Sequence, residues 1–236
     1  MARMLSAGIR AICFDLDNTL WDVWPTIVRA EHATYAFLAE RYPRITQRYS
    51  IEALRAERER IARQHQQKQH DFTFIRIATL RACAASVGYS DSDSEAVGEQ
   101  AFEVFIRERN TVDLYRDAIP TLTHLHTRFR LFSLTNGNAD LGVIGLSRFF
   151  EGSYAAREVG ALKPDAAMFR HVLEQNNLIA SEVLHVGDDP VADVQGARAI
   201  GMHAVWLNRG SDLWMTEHGA VPVTIARLDE LVSLLQ

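Results

Sequence analysis

The run Ile9–Phe14 and the next strand-like run, Phe129–Thr135, are separated by a long interval in which ninety-odd residues, from Trp21 to Val112, carry helical rather than strand periodicity. Downstream the texture reverses. Short apolar runs at Ser153–Ala156, Val183–Gly187, Met202–Leu207 and Val221–Ile225 alternate with helical stretches at Asp165–Gln175, Val191–Ile200 and Leu228–Leu235. Strands and helices in alternation predict a parallel sheet with right-handed crossovers. One crossover needs only a dozen or so residues, so the long helical interval predicts an inserted domain. The expected architecture is α/β: a doubly wound parallel-sheet core, residues 1–21 and 113–236, interrupted once by a helical cap, residues 22–112.

Within the interval, Pro25 is expected to break regular structure before a helix over Thr26–Tyr42, which Pro43 stops. Ser50 reads as the N-cap of a second helix. A third, Phe72–Val87, ends at Gly88, and the Asp91–Ser94 cluster opens a fourth. After Val112 the chain reads as irregular over Tyr115–Pro120, then as a short helix over Thr121–Thr127.

A chain of 236 residues with 47% hydrophobic and 23% charged residues can bury a sizeable core. The net charge of −5 argues against a general nucleic-acid or anionic-membrane binder, but a local cation and a lysine can still draw an anionic substrate. Cys13 and Cys83 lack metal-ligand spacing; Cys13 reads as a small packing residue, and a reducing, cytoplasmic setting fits. The N-terminal run Met1–Gly8 lacks the apolar core of a signal peptide, and no stretch approaches a membrane span. The nine histidines are scattered, and none reads as a metal ligand.

In an open parallel sheet, ligands sit at the carboxyl ends of the strands. The first strand delivers Asp15 and Asp17 there, two residues apart and therefore on one side of an extended segment. The second delivers Ser133, Thr135, Asn136 and a glycine. The loop after the third delivers Lys163, and the fourth delivers Asp188, Asp189 and, further on, Asp193. Clustered carboxylates repel unless a hard divalent cation offsets them, and Mg²⁺ typically takes one or two carboxylates together with substrate phosphate. A hydroxyl and an ammonium beside them suit the remaining phosphate oxygens. Together they suggest phosphoryl transfer, with one carboxylate as nucleophile and the other as proton carrier.

Phe14-Asp15-Leu16-Asp17-Asn18-Thr19-Leu20, Leu134-Thr135-Asn136-Gly137, Lys163-Pro164-Asp165 and Val186-Gly187-Asp188-Asp189-Pro190-Val191-Ala192-Asp193 resemble, in order, the four motifs of the haloacid dehalogenase superfamily. The resemblance implies a Rossmann-like core with an inserted cap. It also implies Asp15 as nucleophile, Asp17 as general acid/base, Thr135 as phosphate ligand and Lys163 as charge stabiliser. Asp15, Asp188 and the backbone carbonyl of Asp17 would ligate Mg²⁺. Members that cleave carbon–halogen bonds generally lack the second aspartate, so Asp17 favours a phosphatase of small-molecule phosphate esters over a 2-haloacid dehalogenase. A receiver-like signalling module is the non-enzymatic alternative, and the Asp15-x-Asp17 spacing with a large insertion argues against it. Asp193 either holds Lys163, sits behind the metal, or merely favours a helix dipole.

Specificity is expected from the cap and from the turn after Asp17. Trp21 and Trp24 suit stacking of a planar leaving group, or else wedge cap against core. Arg76 is a candidate substrate contact whose plain alternative is a solvated arginine. With Asn136 beside Thr135, the core motifs and Arg76 resemble the bacterial branch that hydrolyses FMN and the ribitylaminouracil phosphate of riboflavin synthesis; a nucleotide or sugar phosphate is the alternative substrate.

Overall fold

The computed structural model describes residues 8–215, 217 and 219–236. The N-terminal run read above for a signal peptide therefore lies, apart from Gly8, outside the described residues. Two compact units emerge: one comprises the chain up to Asp22 with Asp113–Gly137 and Leu141–Gln236, the other Val23–Val112 with Asn138–Asp140.

The first unit carries six parallel strands: β1 (Ala11–Phe14), β2 (Arg130–Thr135), β3 (Gly152–Ala155), β4 (Val183–Gly187), β5 (His203–Leu207) and β6 (Val223–Ile225). Their order, β3-β2-β1-β4-β5-β6, puts β1 at the centre, where the direction of winding reverses. Ala11 pairs with Arg130 on one side and Val183 on the other, and Phe14 with Ser133 and Val186. Every residue of β1 and β4 is buried, so both read as continuous apolar runs, as strands covered on both faces must. The core on one face gathers Cys13, Phe132, Phe169, Val172 and Trp206. Cys13 is a buried free thiol whose pKa burial pushes up to about 12, so it acts as a packing group.

The second unit is built from α1 (Val23–Arg41), α2 (Pro43–Arg48), α3 (Ile51–Gln64), α4 (Phe72–Ser86) and α5 (Asp91–Arg109). Leu38, Leu80, Cys83, Val97 and Ala101 form its core. The Ser50 hydroxyl accepts from the Ala53 N–H at 3.2 Å, capping α3, and Gly88 takes a left-handed φ of 83° after α4. Pro25 does not break the chain: α1 already begins at Val23, with Pro25 in its first turn. There a missing N–H costs nothing, because the first N–H groups of a helix have no intrahelical partner. The same reason moves forward the start of the helix expected over Thr121–Thr127. α6 spans Ala118–Leu125, with Pro120 inside its first turn.

The remaining short helices of the first unit are α7 (Leu141–Ile144), α8 (Ala156–Val159), α9 (Ala166–Asn176), α10 (Gly196–Ala199) and α11 (Glu230–Leu234). The single helix expected over Val191–Ile200 is instead a wide π-type turn, Pro190–Gln195, running into α10. The Val194 N–H reaches back to the Asp189 carbonyl at 3.3 Å, five residues away. No described helix is long and apolar enough to cross a membrane.

Candidate active site

β1 ends on Asp15, a buried carboxylate at the centre of the sheet. Its Oδ1 accepts a hydrogen bond from Lys163 Nζ at 2.6 Å, and its Oδ2 a longer one from the Thr19 hydroxyl at 3.3 Å. After Asp15 the chain folds back at once. Leu20 N–H donates to the Leu16 carbonyl at 2.8 Å and Asn18 N–H to the Trp21 carbonyl at 2.7 Å. Asn18 takes a left-handed φ of 59°, a conformation its short polar side chain tolerates. This turn holds Asp17 half-buried, with its Oδ1 accepting from Trp21 Nε1 at 2.9 Å. Trp21 is fully buried, so it offers no exposed face on which a planar leaving group could stack.

Lys163 enters from the loop between α8 and α9. Its ammonium sits 2.6 Å from Asp15 Oδ1 and 2.6 Å from Asp193 Oδ1, and its side chain is only 2% exposed. Burial alone would lower the lysine pKa, but the two carboxylates outweigh it and the net direction is up; the group is a fixed cation. Asn136 grips the backbone of this lysine: its Oδ1 accepts from the Lys163 N–H at 2.7 Å, and its Nδ2 donates to the Lys163 carbonyl at 3.0 Å. The side chain of Asn136 is thus engaged in placing Lys163. Thr135, at the end of β2, is buried, and its hydroxyl accepts from the Gly137 N–H at 3.0 Å.

Asp193 holds Lys163. The wide turn after β4 directs its carboxylate back at the strand end, where Oδ1 also meets His185 Nε2 at 2.8 Å and Oδ2 accepts from the Asp189 N–H at 3.1 Å. Burial would raise its pKa, but Lys163 and His185 hold it well below the usual carboxylate range. Gly187 makes the placement feasible, since a Cβ there would overlap the Asp193 carboxylate. Gly196 does the same one turn on, where a Cβ would lie 2.6 Å from the Phe169 ring and 3.1 Å from Pro164 Cα. His185, buried in β4, has its pKa lowered by burial and is neutral, so Nε2–H donates to Asp193. Asp189 caps the turn by accepting from Val191 and Ala192 N–H at 2.7 and 2.8 Å.

Asp188 completes the group. Carboxylate oxygens of Asp15, Asp188 and Asp193 all lie within 4.8 Å of one another. Burial, and then the charge of Asp193, raise the Asp188 pKa to about 7, while Asn18 bonds its side chain. Trp206 Nε1 donates to the Asp188 carbonyl at 2.7 Å. Burial first, then Asp193 and Asp188, push Asp15 upward against the pull of Lys163. Three carboxylates facing one ammonium cannot all ionise without a further positive charge, which is why Asp15 and Asp188 are pushed upward, and an all-oxygen donor set of this kind fits a hard divalent cation such as Mg²⁺. Because Asp193 is already engaged three times, Asp15 and Asp188 are the carboxylates with capacity left for it.

The remaining sequence candidates belong to the helical unit. Trp24 is 61% exposed, with the Arg55 guanidinium 5.6 Å from its ring. Arg76 is not the solvated arginine of the plain reading: it lies against the Phe105 ring at 3.4 Å and its side chain is 17% exposed. Sequence reasoning missed Trp206 and the structural part of His185. A histidine interrupting the apolar run Val183–Gly187 was the available signal, since a polar group buried in a strand needs a partner.

A haloacid dehalogenase-like hydrolase profile matches residues 9–201 of the chain. The chain is 32% identical over 230 residues to the 5-amino-6-(5-phospho-D-ribitylamino)uracil phosphatase YigB of Escherichia coli (strain K12), covering 96% of both. It is 27% identical over 239 residues to a ribulose-1,5-bisphosphate 5-phosphatase of Halopiger xanaduensis, covering 95% of both. Among solved structures, one described as a 2-haloacid dehalogenase from Pseudomonas syringae pv. Tomato DC3000 superimposes with a TM-score of 0.91 at 34% identity, covering 96% of this chain and 98% of the other.

Proposed function

Because the chain belongs to the haloacid dehalogenase-like hydrolase family, we propose that it is a magnesium-dependent phosphomonoesterase working through an aspartyl-phosphate. The observation that carries this reading is the second carboxylate. Asp17 stands two residues beyond the buried nucleophile candidate and is held at 2.9 Å by an indole N–H whose ring is itself immobilised in the core. Halide departs without a proton, whereas the alkoxide of a phosphate ester needs one.

In this reading an oxygen of Asp15 attacks phosphorus in line with the ester oxygen, the P–O ester bond breaks, and the leaving oxygen takes the proton of Asp17. Asp17, now ionised, then takes a proton from water as the water oxygen attacks phosphorus. The bond to Asp15 breaks, inorganic phosphate leaves, and both carboxylates return to their starting states. Lys163 holds Asp15 in place and neutralises phosphoryl charge, and Thr135 with the neighbouring loop N–H groups binds the phosphoryl oxygens. Asp15, Asp188 and the Asp17 carbonyl would hold Mg²⁺, which when bound supplies charge neutralisation at the transferring group. Asn136 acts by placing Lys163. Arg76 and Trp24 are proposed as contacts for the rest of the ester.

The similarity to YigB supports the ribitylaminouracil phosphate as substrate; FMN is proposed beside it from the resemblance of the core motifs, with a nucleotide or sugar phosphate as the alternative. The second reading, a 2-haloacid dehalogenase, is favoured by the Pseudomonas syringae structure. The two separate cleanly. Phosphate release should be abolished by EDTA and by Asp15→Asn in a protein that remains folded, with no halide released from 2-haloacids. Halide release without metal, or full phosphatase activity in Asp15→Asn, refutes the proposal. A phosphate-release screen over flavins, nucleotides and sugar phosphates then ranks the esters, and FMN among the poorest removes the flavin branch. A cytoplasmic setting is part of the same proposal.

A further inference from the structure

The helical unit holds a second concentration of charge, of opposite sign to the carboxylate cluster. Glu31, 7% exposed on α1, receives Arg55 Nε at 2.7 Å and Arg55 Nη2 at 2.6 Å on one oxygen, and Arg58 Nη1 at 3.0 Å on the other. Both oxygens are thereby occupied. Arg76, from α4, comes no nearer to Glu31 than 3.9 Å. Its guanidinium donates no hydrogen bond among the described residues, although it is largely buried against Phe105. A guanidinium carries five N–H donors, and those of Arg76, which keep some exposure, have no protein acceptor among the described residues. Burial and the neighbouring Arg58, Arg109 and Arg55 together lower its pKa to about 9 against the opposing pull of Glu31.

Glu31, Arg55, Arg58 and Arg76 share the wall of one partly open hollow of about 40 Å³, which Thr34 and Tyr35 also line. A water molecule needs roughly 10–15 Å³ by the same measure. The space thus takes about three waters, or one carboxylate- or phosphate-sized group. Three guanidinium groups against one carboxylate leave an excess of positive charge in a partly desolvated hollow.

We propose that this cavity is a binding site for one oxyanionic group, a carboxylate or a phosphate, with Arg76 as its principal donor and Arg55 and Arg58 as its flanks. The anion supplies the acceptors that Arg76 lacks and offsets the repulsion among the arginines. Glu31 orients Arg55 and Arg58 and, as a fixed negative charge, limits the affinity. The group is either a free anion or the second acid group of a phosphate ester. The inference concerns the helical unit alone and stands whether or not the phosphatase reading does.

The test reads the side-chain Nε–H resonances of the arginines in the full-length protein by ¹H–¹⁵N correlation spectra, with Arg76 assigned through Arg76→Met. Inorganic phosphate is titrated first at constant ionic strength. 3-Phosphoglycerate, which carries a carboxylate as well as a phosphate, is then added to Asp15→Asn protein, in which turnover is removed. A saturable shift of the Arg76 resonance with phosphate assigns a free-anion site; a shift with phosphoglycerate only assigns the second acid group of an ester. Glu31→Gln should tighten binding severalfold, because it removes the competing charge and keeps the shape. An Arg76 resonance unmoved by both probes overturns the proposal, as does weaker binding in folded Glu31→Gln protein.

Discussion

Replacing Trp21 by Phe tests how the proton of Asp17 is governed. The substitution keeps an aromatic ring in a fully buried position and deletes the indole donor that reaches Asp17 Oδ1 at 2.9 Å. A hydrogen bond to a charged group is worth about 1.5–3 kcal/mol. At 1.36 kcal/mol per tenfold in rate, the ceiling on the loss is on the order of 10- to 150-fold in kcat. Part of the bond is made equally in the ground state, so about tenfold is the expected outcome. The loss should depend on the leaving group. An alkyl phosphate, whose alkoxide must be protonated, should suffer the full effect, whereas p-nitrophenyl phosphate, whose phenolate leaves unaided, should suffer little. Steady-state kcat and kcat/KM on the two esters, with a urea melt to show that the fold survives the lost ring volume, decide it. Equal losses on both esters, or wild-type kcat on the alkyl ester, would refute the assignment of Trp21 to Asp17 and leave the indole as core packing.

Gly187→Ala should lose activity and about 1–3 kcal/mol of stability, because the new methyl overlaps a carboxylate pinned by three partners; a fully active alanine variant would show that Asp193 can move freely. His185→Leu should lower kcat roughly fivefold with little change in KM, and His185→Gln, which keeps a donor, should recover part of it. Identical kinetics in those two variants would reduce His185 to its ring contact with Phe169 at 5.3 Å. Glu31 sets a pH dependence in the helical unit. Burial raises its pKa, but the bonds from Arg55 and Arg58 prevail and the net direction is down. Its contribution is therefore present above the unfolded carboxyl pKa of about 4.3 and lost as pH falls through the lower folded value. Discounted for arginines that are one-third exposed, that contribution is about 2 kcal/mol, and the urea-midpoint gap between wild type and Glu31→Gln should begin to narrow below about pH 4 and close further down.

The strand ends were readable because each is an apolar run that stops abruptly at polar residues, and parallel strands deliver such stops to one edge. Asp15, Thr135 and Asp188 follow from that rule alone, and the contact of Lys163 with Asp15 agrees with the loop order that suggested it. What escaped were the partners. Trp21 and Trp24 read alike in sequence, as stacking platforms or as wedges, and nothing local says that the indole of Trp21 turns to Asp17 while Trp24 stays 61% exposed. Asp193 was ambiguous because a carboxylate in a first helical turn satisfies the dipole equally well; only the wide turn over Pro190–Gln195 and the missing Cβ of Gly187 direct it at Lys163. The starts of α1 and α6 were misjudged for a common reason, that proline punctuates a helix interior yet is at ease in its first turn.

The central strand is only four residues long, and each of them is paired on both sides. A slip of one residue would put Phe14 or Leu16 where Asp15 stands. In the proposed mechanism such a slip removes the nucleophile, so activity would act as a checksum on the registry of β1 with its two neighbours. A molecule that turns over at all has β1, β2 and β4 in register. Specific activity in a preparation of this protein therefore counts its correctly folded molecules, and damage remote from the carboxylates will show as fewer working copies rather than as slower ones.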